Sequence, residues 1–225
     1  MNLFITSIIS IIGILSVVNS QQLFANFIPY PTEDCSGSSL GLGFTLAVSK
    51  CIFGVSAFQE VTDYMWNVEV EEESNWITVG QFELSHFTCN GNAIHYYNIK
   101  NGTCTDTPNF TKLNGTITGM GDQWYSFVTI TSKPQYASNS QVHEIYNQTA
   151  MGNCNYENYE NAVTFTNGLE IITEITDQID TWTCPNNDPI NVFCDLQGRY
   201  CQTVNEQAAC DPNNNYGNEN AFCTN

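Results

Sequence analysis

Glu60, Asp63, Glu69, Glu71, Glu72 and Glu73 crowd one short stretch of the chain. Two carboxylates held across a cleft can hydrolyse a glycosidic bond. With 23 acidic residues in the chain, however, some pair must fall close by chance. The run Glu71-Glu72-Glu73 reads more simply as the solvated tip of a hairpin. Downstream, Asp211-Pro-Asn213-Asn-Asn215-Tyr-Gly217 alternates side-chain oxygens as a calcium loop does. Its glycine comes one place late and its twelfth position is Phe222, so a plain Asn-rich loop between Cys210 and Cys223 is the better reading.

His86, His95 and His143 are the only histidines. His86 and His95 flank Cys89 and would meet across a hairpin, but two imidazoles without a third ligand make a poor metal site. The reading leans away from an enzyme and expects no catalytic residue, metal or cofactor.

The aromatic residues carry more information. Trp66, Trp76, Trp124, Trp182, Tyr96, Tyr97 and Tyr125 concentrate in strand-like stretches. Buried, they supply core area; exposed near Asn and Asp, their faces stack on sugar rings. Trp124 and Tyr125 are adjacent and so point to opposite faces of a strand. Trp66, Trp124 and Tyr125 are the ligand-binding candidates.

Ten cysteines, Cys35, Cys51, Cys89, Cys104, Cys154, Cys184, Cys194, Cys201, Cys210 and Cys223, predict up to five disulfides. No Cys-x-x-Cys pair suggests zinc. Cys35-Ser-Gly37 to Cys51 and Cys89-Asn-Gly91 to Cys104 repeat one plan: a turn, a strand, then a cysteine. The expectation is local pairing, Cys35–Cys51 and Cys89–Cys104, with the last six left open among 15 connectivities.

An uncharged apolar run, Leu3 to Val18, ends in Val18-Asn19-Ser20. It is shorter than the roughly 20 residues a membrane span needs and reads as a secretory signal, with Gln21 first in the mature chain. Four sequons place glycans on Asn101, Asn109, Asn114 and Asn147. A net charge of −18, with Lys and Arg totalling five, disfavours nucleic acid and anionic membrane surfaces as partners.

The elements that must position these groups read as strands. Tyr64 to Val70 alternates with period two, with Trp66 and Val68 on one side and Asn67 and Glu69 on the other. Residues 72–75 form a loop and Trp76 to Phe87 returns. Pro29 and Pro31 should stop regular pairing after Leu23. Trp124 to Thr131 and Ala162 to Phe165 are strands; Leu169 to Thr176 fits either a strand or a helix, and its β-branched content favours a strand. Those last two should join the main sheet.

The division is then a signal peptide at 1–20, a β-rich domain at 21–183 and a cysteine-rich, loop-dominated tail at 184–225. The fold class is all-β, a disulfide-stabilised antiparallel sandwich or barrel-like domain. The expected function is that of a secreted acidic glycoprotein with a non-catalytic recognition or structural role toward an extracellular protein or carbohydrate. The alternatives are a carbohydrate-active hydrolase using a carboxylate pair, and a tail that inhibits a protease or binds a receptor.

Overall fold

A computed structural model describes residues 21–53, 64–71, 73–84, 88–110, 115–118, 124–147, 152–173, 177–207, 210 and 218–225. The expected signal, Asn114, His86, Glu60, Asp63, Glu72 and the loop 211–217 lie outside them. The described residues are nearly all β: β1 (Phe24–Tyr30), β2 (Leu42–Ala47), β3 (Cys51–Phe53), β4 (Tyr64–Glu71), β5 (Trp76–Glu83), β6 (His95–Lys100), β7 (Thr103–Asp106) and β8 (Gly115–Ile117) come first. There follow β9 (Tyr125–Thr131), β10 (Ser140–Tyr146), β11 (Tyr159–Thr166), β12 (Leu169–Thr173), β13 (Gln178–Thr183), β14 (Ile190–Asp195), β15 (Gln202–Asn205) and β16 (Glu219–Cys223).

Three antiparallel sheets share one core. The largest runs β16-β10-β11-β2-β1-β9-β7, the second β15-β14-β13-β12-β8, and the third β3-β4-β5-β6. Phe27, Phe44 and Val163 of the first sheet, Trp66, Val68 and Val79 of the third, and Leu169, Ile171 and Trp182 of the second meet in one buried cluster. The alternation read in β4 holds from Trp66 to Glu69, with Trp66 and Val68 buried and Glu69 exposed, but not at the start of the strand, where Tyr64 is exposed and Met65 is buried. The hairpin also forms, with Tyr64 to Glu71 pairing Glu83 back to Trp76.

Pro29 acts on one ladder only. The β1–β2 register ends at Phe27 opposite Phe44, whereas β1–β9 continues through Pro29 opposite Ser126 to Tyr30 opposite Tyr125. A proline has no N–H to give, so it can stand in a strand only where that side needs no donor. Gly43 of β2 makes room for it, because a Cβ there would sit 2.8 Å from Pro29 Cδ.

β11 joins the main sheet as expected, but β12 does not: it pairs with β13 and β8 in the second sheet. Within 184–225, β14 and β15 extend that second sheet and β16 closes the edge of the first beside β10.

All ten cysteines are paired, and the expected local pairing is corrected. Cys35 bonds Cys104 and Cys51 bonds Cys89. Cys35, in the β1–β2 connection, comes near β7 because β7 pairs β9, which pairs β1. Cys51 opens β3, on the other side of the core. The remaining bonds are Cys154–Cys210, Cys184–Cys223 and Cys194–Cys201. Cys184–Cys223 ties the end of β13 to β16 and so clamps the second sheet to the first.

The opposite face of the main sheet holds a second apolar cluster around Phe24, Val142, Tyr146 and Tyr159. At its centre the buried Glu144 accepts from Tyr136 Oη at 2.5 Å, Tyr146 Oη at 2.8 Å and Asn220 Nδ2 at 2.8 Å. Three donors offset the cost of burying this carboxylate.

Candidate functional site

The β3–β6 sheet presents two different faces. Tyr64, Trp66 and Val68 stand on the inner one, and the register places Gln81 and His95 beside Trp66 and Tyr97 beside Val79 and Val68. Toward the β3 end of this face lies a cleft of about 370 Å³. Tyr64, Gln81, His95 and Tyr97 line it from the sheet, with Ile94 just before β6. Its other wall is Asn109 and Phe110, from the connection after β7.

Phe110 is 1% exposed and pins this wall. Its ring centroid lies 4.9 Å from Phe27, 5.0 Å from Phe44 and 5.0 Å from Trp66. Its N–H donates to Pro108 O at 2.8 Å, closing a three-residue turn with the exposed Asn109 at the apex. The cleft therefore has aromatic and aliphatic walls, with amide, imidazole and hydroxyl groups at its rim.

The outer face carries the residues of opposite parity. Phe53, Met65 and Phe82 form one cross-strand row, and Tyr96 stands across from Gly80. Glycine at position 80 leaves room for the Phe82 ring, which a Cβ there would meet at 2.8 Å. Phe53, Trp76 and Tyr96 are 47%, 42% and 59% exposed, so large aromatic surface lies open on this face.

Of the ligand-binding candidates, Trp66 is 1% exposed and has no surface to offer a ligand. The alternation that aligned it with Tyr64 places it inward, where Phe110 and Tyr97 close over it. Trp124 is half-buried against the core, and its O accepts from Thr107 N–H at 3.0 Å. Tyr125 is half-buried between Tyr30 and Asp106 on the neighbouring strands. Neither lines the cleft. Tyr64, Gln81 and Ile94, which do, carry no signal in sequence beyond strand alternation; Asn109 carries its sequon.

The sequon asparagines differ in their surroundings. Asn101 Nδ2 donates to Asn75 Oδ1 at 3.0 Å, and its Oδ1 accepts from Ile130 N–H at 3.0 Å. Asn147 is exposed, and its side chain hydrogen-bonds the Glu160 carboxylate.

Glu69, Glu71 and Glu73 are exposed, as a hairpin tip requires, and Ser74 Oγ donates to Glu71 Oε2 at 2.7 Å. The acids held above the usual carboxylate range lie elsewhere. Burial raises Asp180 and Glu206; burial, and then the Glu206 charge, raises Glu219; burial raises Glu160 against the opposing pull of Lys50. His143 lies away from the cleft, its ring edge-on to Phe165 and Trp182, and burial lowers it to about 4. Its Nε2 donates to the Gln141 amide oxygen at 2.7 Å, while the Gln141 nitrogen donates to the Ile190 and Thr183 carbonyls of the second sheet. Among the described residues no group of three or more His, Cys, Asp or Glu is placed to hold a metal ion.

No solved structure matches this chain. An uncharacterized protein of Dictyostelium discoideum is 23% identical over 198 residues, covering 87% of this chain and 62% of the relative. The chain therefore spans less than two thirds of that relative's length. The family described as Counting factor-associated protein A/B/C matches residues 1–223, so nearly the whole chain, both cysteine-rich halves included, belongs to that family.

Proposed function

We propose that this protein is a secreted glycoprotein with a non-catalytic recognition role, an associate of an extracellular counting-factor-type assembly. Its family's name supports association. Five disulfides with no free cysteine support an oxidising compartment. The observation that carries the recognition role is the outer face of the β3–β6 sheet, where Phe53, Tyr96 and, toward the opposite end, Trp76 are each exposed. Exposed aromatic area of this kind marks protein-binding surface, and Trp and Tyr are the residues that dominate binding energy at interfaces.

Among the described residues that line the cleft on the inner face there is neither Asp nor Glu, whereas glycoside hydrolysis uses two carboxylates about 5–10 Å apart. The test is size-exclusion of the protein from culture medium, alongside a Trp76→Ser/Tyr96→Ser variant that is still secreted. The native chain should elute in an assembly larger than itself, and the variant alone. Elution of both as free single chains, or turnover of a polysaccharide by the purified protein, would overturn the reading.

A further inference from the structure

We propose that the inner-face cleft is the seat of the chain's own glycan: the first sugar on Asn109 packs against Tyr64, Ile94 and Tyr97. This rests on the secreted-glycoprotein reading and names what that glycan does. Three observations carry it. Asn109 heads an Asn-Phe-Thr sequon and is itself part of the cleft wall. It is held there, because Pro108 and Phe110 on either side are buried and the turn between them is closed by a hydrogen bond. A sugar joined through Nδ2 therefore starts inside the cleft mouth.

The cleft's size and chemistry match that occupant. Its volume of about 370 Å³ lies at the low end of ligand pockets, suited to one or two sugar rings. A pyranose has an apolar C–H face that lies well on a Tyr ring, whose face is electron-rich. Its hydroxyl and N-acetyl groups need donors and acceptors, which the Gln81 amide, the His95 imidazole and the tyrosine hydroxyls supply. Among the described sequon asparagines, Asn101 and Asn147 do not line the cleft.

Seating the sugar removes apolar area of Tyr64, Ile94 and Tyr97 from water, and this stabilises the glycosylated fold. The experiment uses the secreted protein in three forms: intact, trimmed by an endoglycosidase to one N-acetylglucosamine per site, and fully deglycosylated. Glycopeptide mass spectrometry reads Asn109 occupancy. The intact and trimmed forms should unfold at the same temperature, and full removal should lower Tm by about 2–4 °C. Amide exchange at residues 94–97 should rise with it. In Thr111→Ala, which cannot be glycosylated at Asn109, full removal of the other glycans should cause neither change.

Occupancy of Asn109 with equal Tm and equal exchange at 94–97 in all three forms would overturn the proposal. So would an empty Asn109 beside occupied Asn101 or Asn147, and either result leaves the glycoprotein reading standing. Absence of glycan from every sequon would remove both.

Discussion

Phe110 stands edge-on to Trp66, their ring centroids 5.0 Å apart, and through this contact the connection after β7 is locked onto the β3–β6 sheet. The same ring touches Phe27 and Phe44 of the main sheet, so one side chain joins two layers. Truncating a fully buried Phe costs about 3–5 kcal/mol. Phe110→Ala should lose that much by urea denaturation, while Asn109→Ala in unglycosylated protein should stay within about 0.5 kcal/mol of the parent. A Phe110→Ala loss below that of Asn109→Ala would contradict the layer-joining role.

The cross-links should contribute unequally. Cys35–Cys104 closes a separation of 69 residues and Cys194–Cys201 one of only 7. In the chain-entropy model these loops are worth about 4 and about 2–3 kcal/mol respectively. Replacing each pair by alanines should lower the denaturation midpoint more for Cys35–Cys104 than for Cys194–Cys201. A non-reduced peptide map should recover Cys35 with Cys104 and Cys51 with Cys89; a Cys35–Cys51 peptide would refute the strand arrangement around them.

Asn101 is a clasp as well as a sequon. Its amide joins the β4–β5 turn at Asn75 to the β9 backbone at Ile130. Asn101→Ala leaves the Ile130 N–H and the Asn75 Oδ1 without these partners, a loss of about 1–3 kcal/mol for a buried group and less where water reaches it. Unglycosylated protein from a bacterial periplasm separates this from any glycan effect. A loss confined to the glycosylated form would assign Asn101 to its glycan alone.

Acid should weaken the fold through His143. Burial holds it near 4 in the folded chain, against about 6.5 unfolded. Between those values the unfolded chain binds the extra proton, so stability is full above pH 6.5 and falls as pH drops toward 4. The drop amounts to about 3 kcal/mol. Glu160, Asp180, Glu206 and Glu219, all raised by burial, work in the opposite direction: stability falls as pH rises from their ordinary range through their raised values. Subtracting the stability curve of His143→Gln from that of the native chain isolates the histidine. The difference should fall by that amount from pH 7 to pH 4, and a flat difference would mean that the ring titrates alike in the folded and unfolded chains.

Much of the local structure is legible in the residues. The β4–β5 hairpin follows from alternation about Trp66 and Val68, and the exposed Glu71 and Glu73 from their charge. The cleft is not legible, because its walls come from Tyr64, Tyr97 and Asn109, which no single strand pattern links. Trp66 was a ligand candidate by residue type, and alternation alone leaves open whether its face is core or surface. Contact with Phe110, 44 positions along the chain, makes it core.

From its residue types alone, the chain is an acidic, cysteine-rich succession of strands, because alternation, charge and the even cysteine count are local or compositional properties. Which cysteines bond, which sheet β12 enters and which asparagine faces a cleft were decided only by tertiary structure. Those outcomes depend on which strands become neighbours, and adjacency is settled by burying Phe27, Phe44, Trp66 and Phe110 together, a cooperative event among residues far apart in the chain.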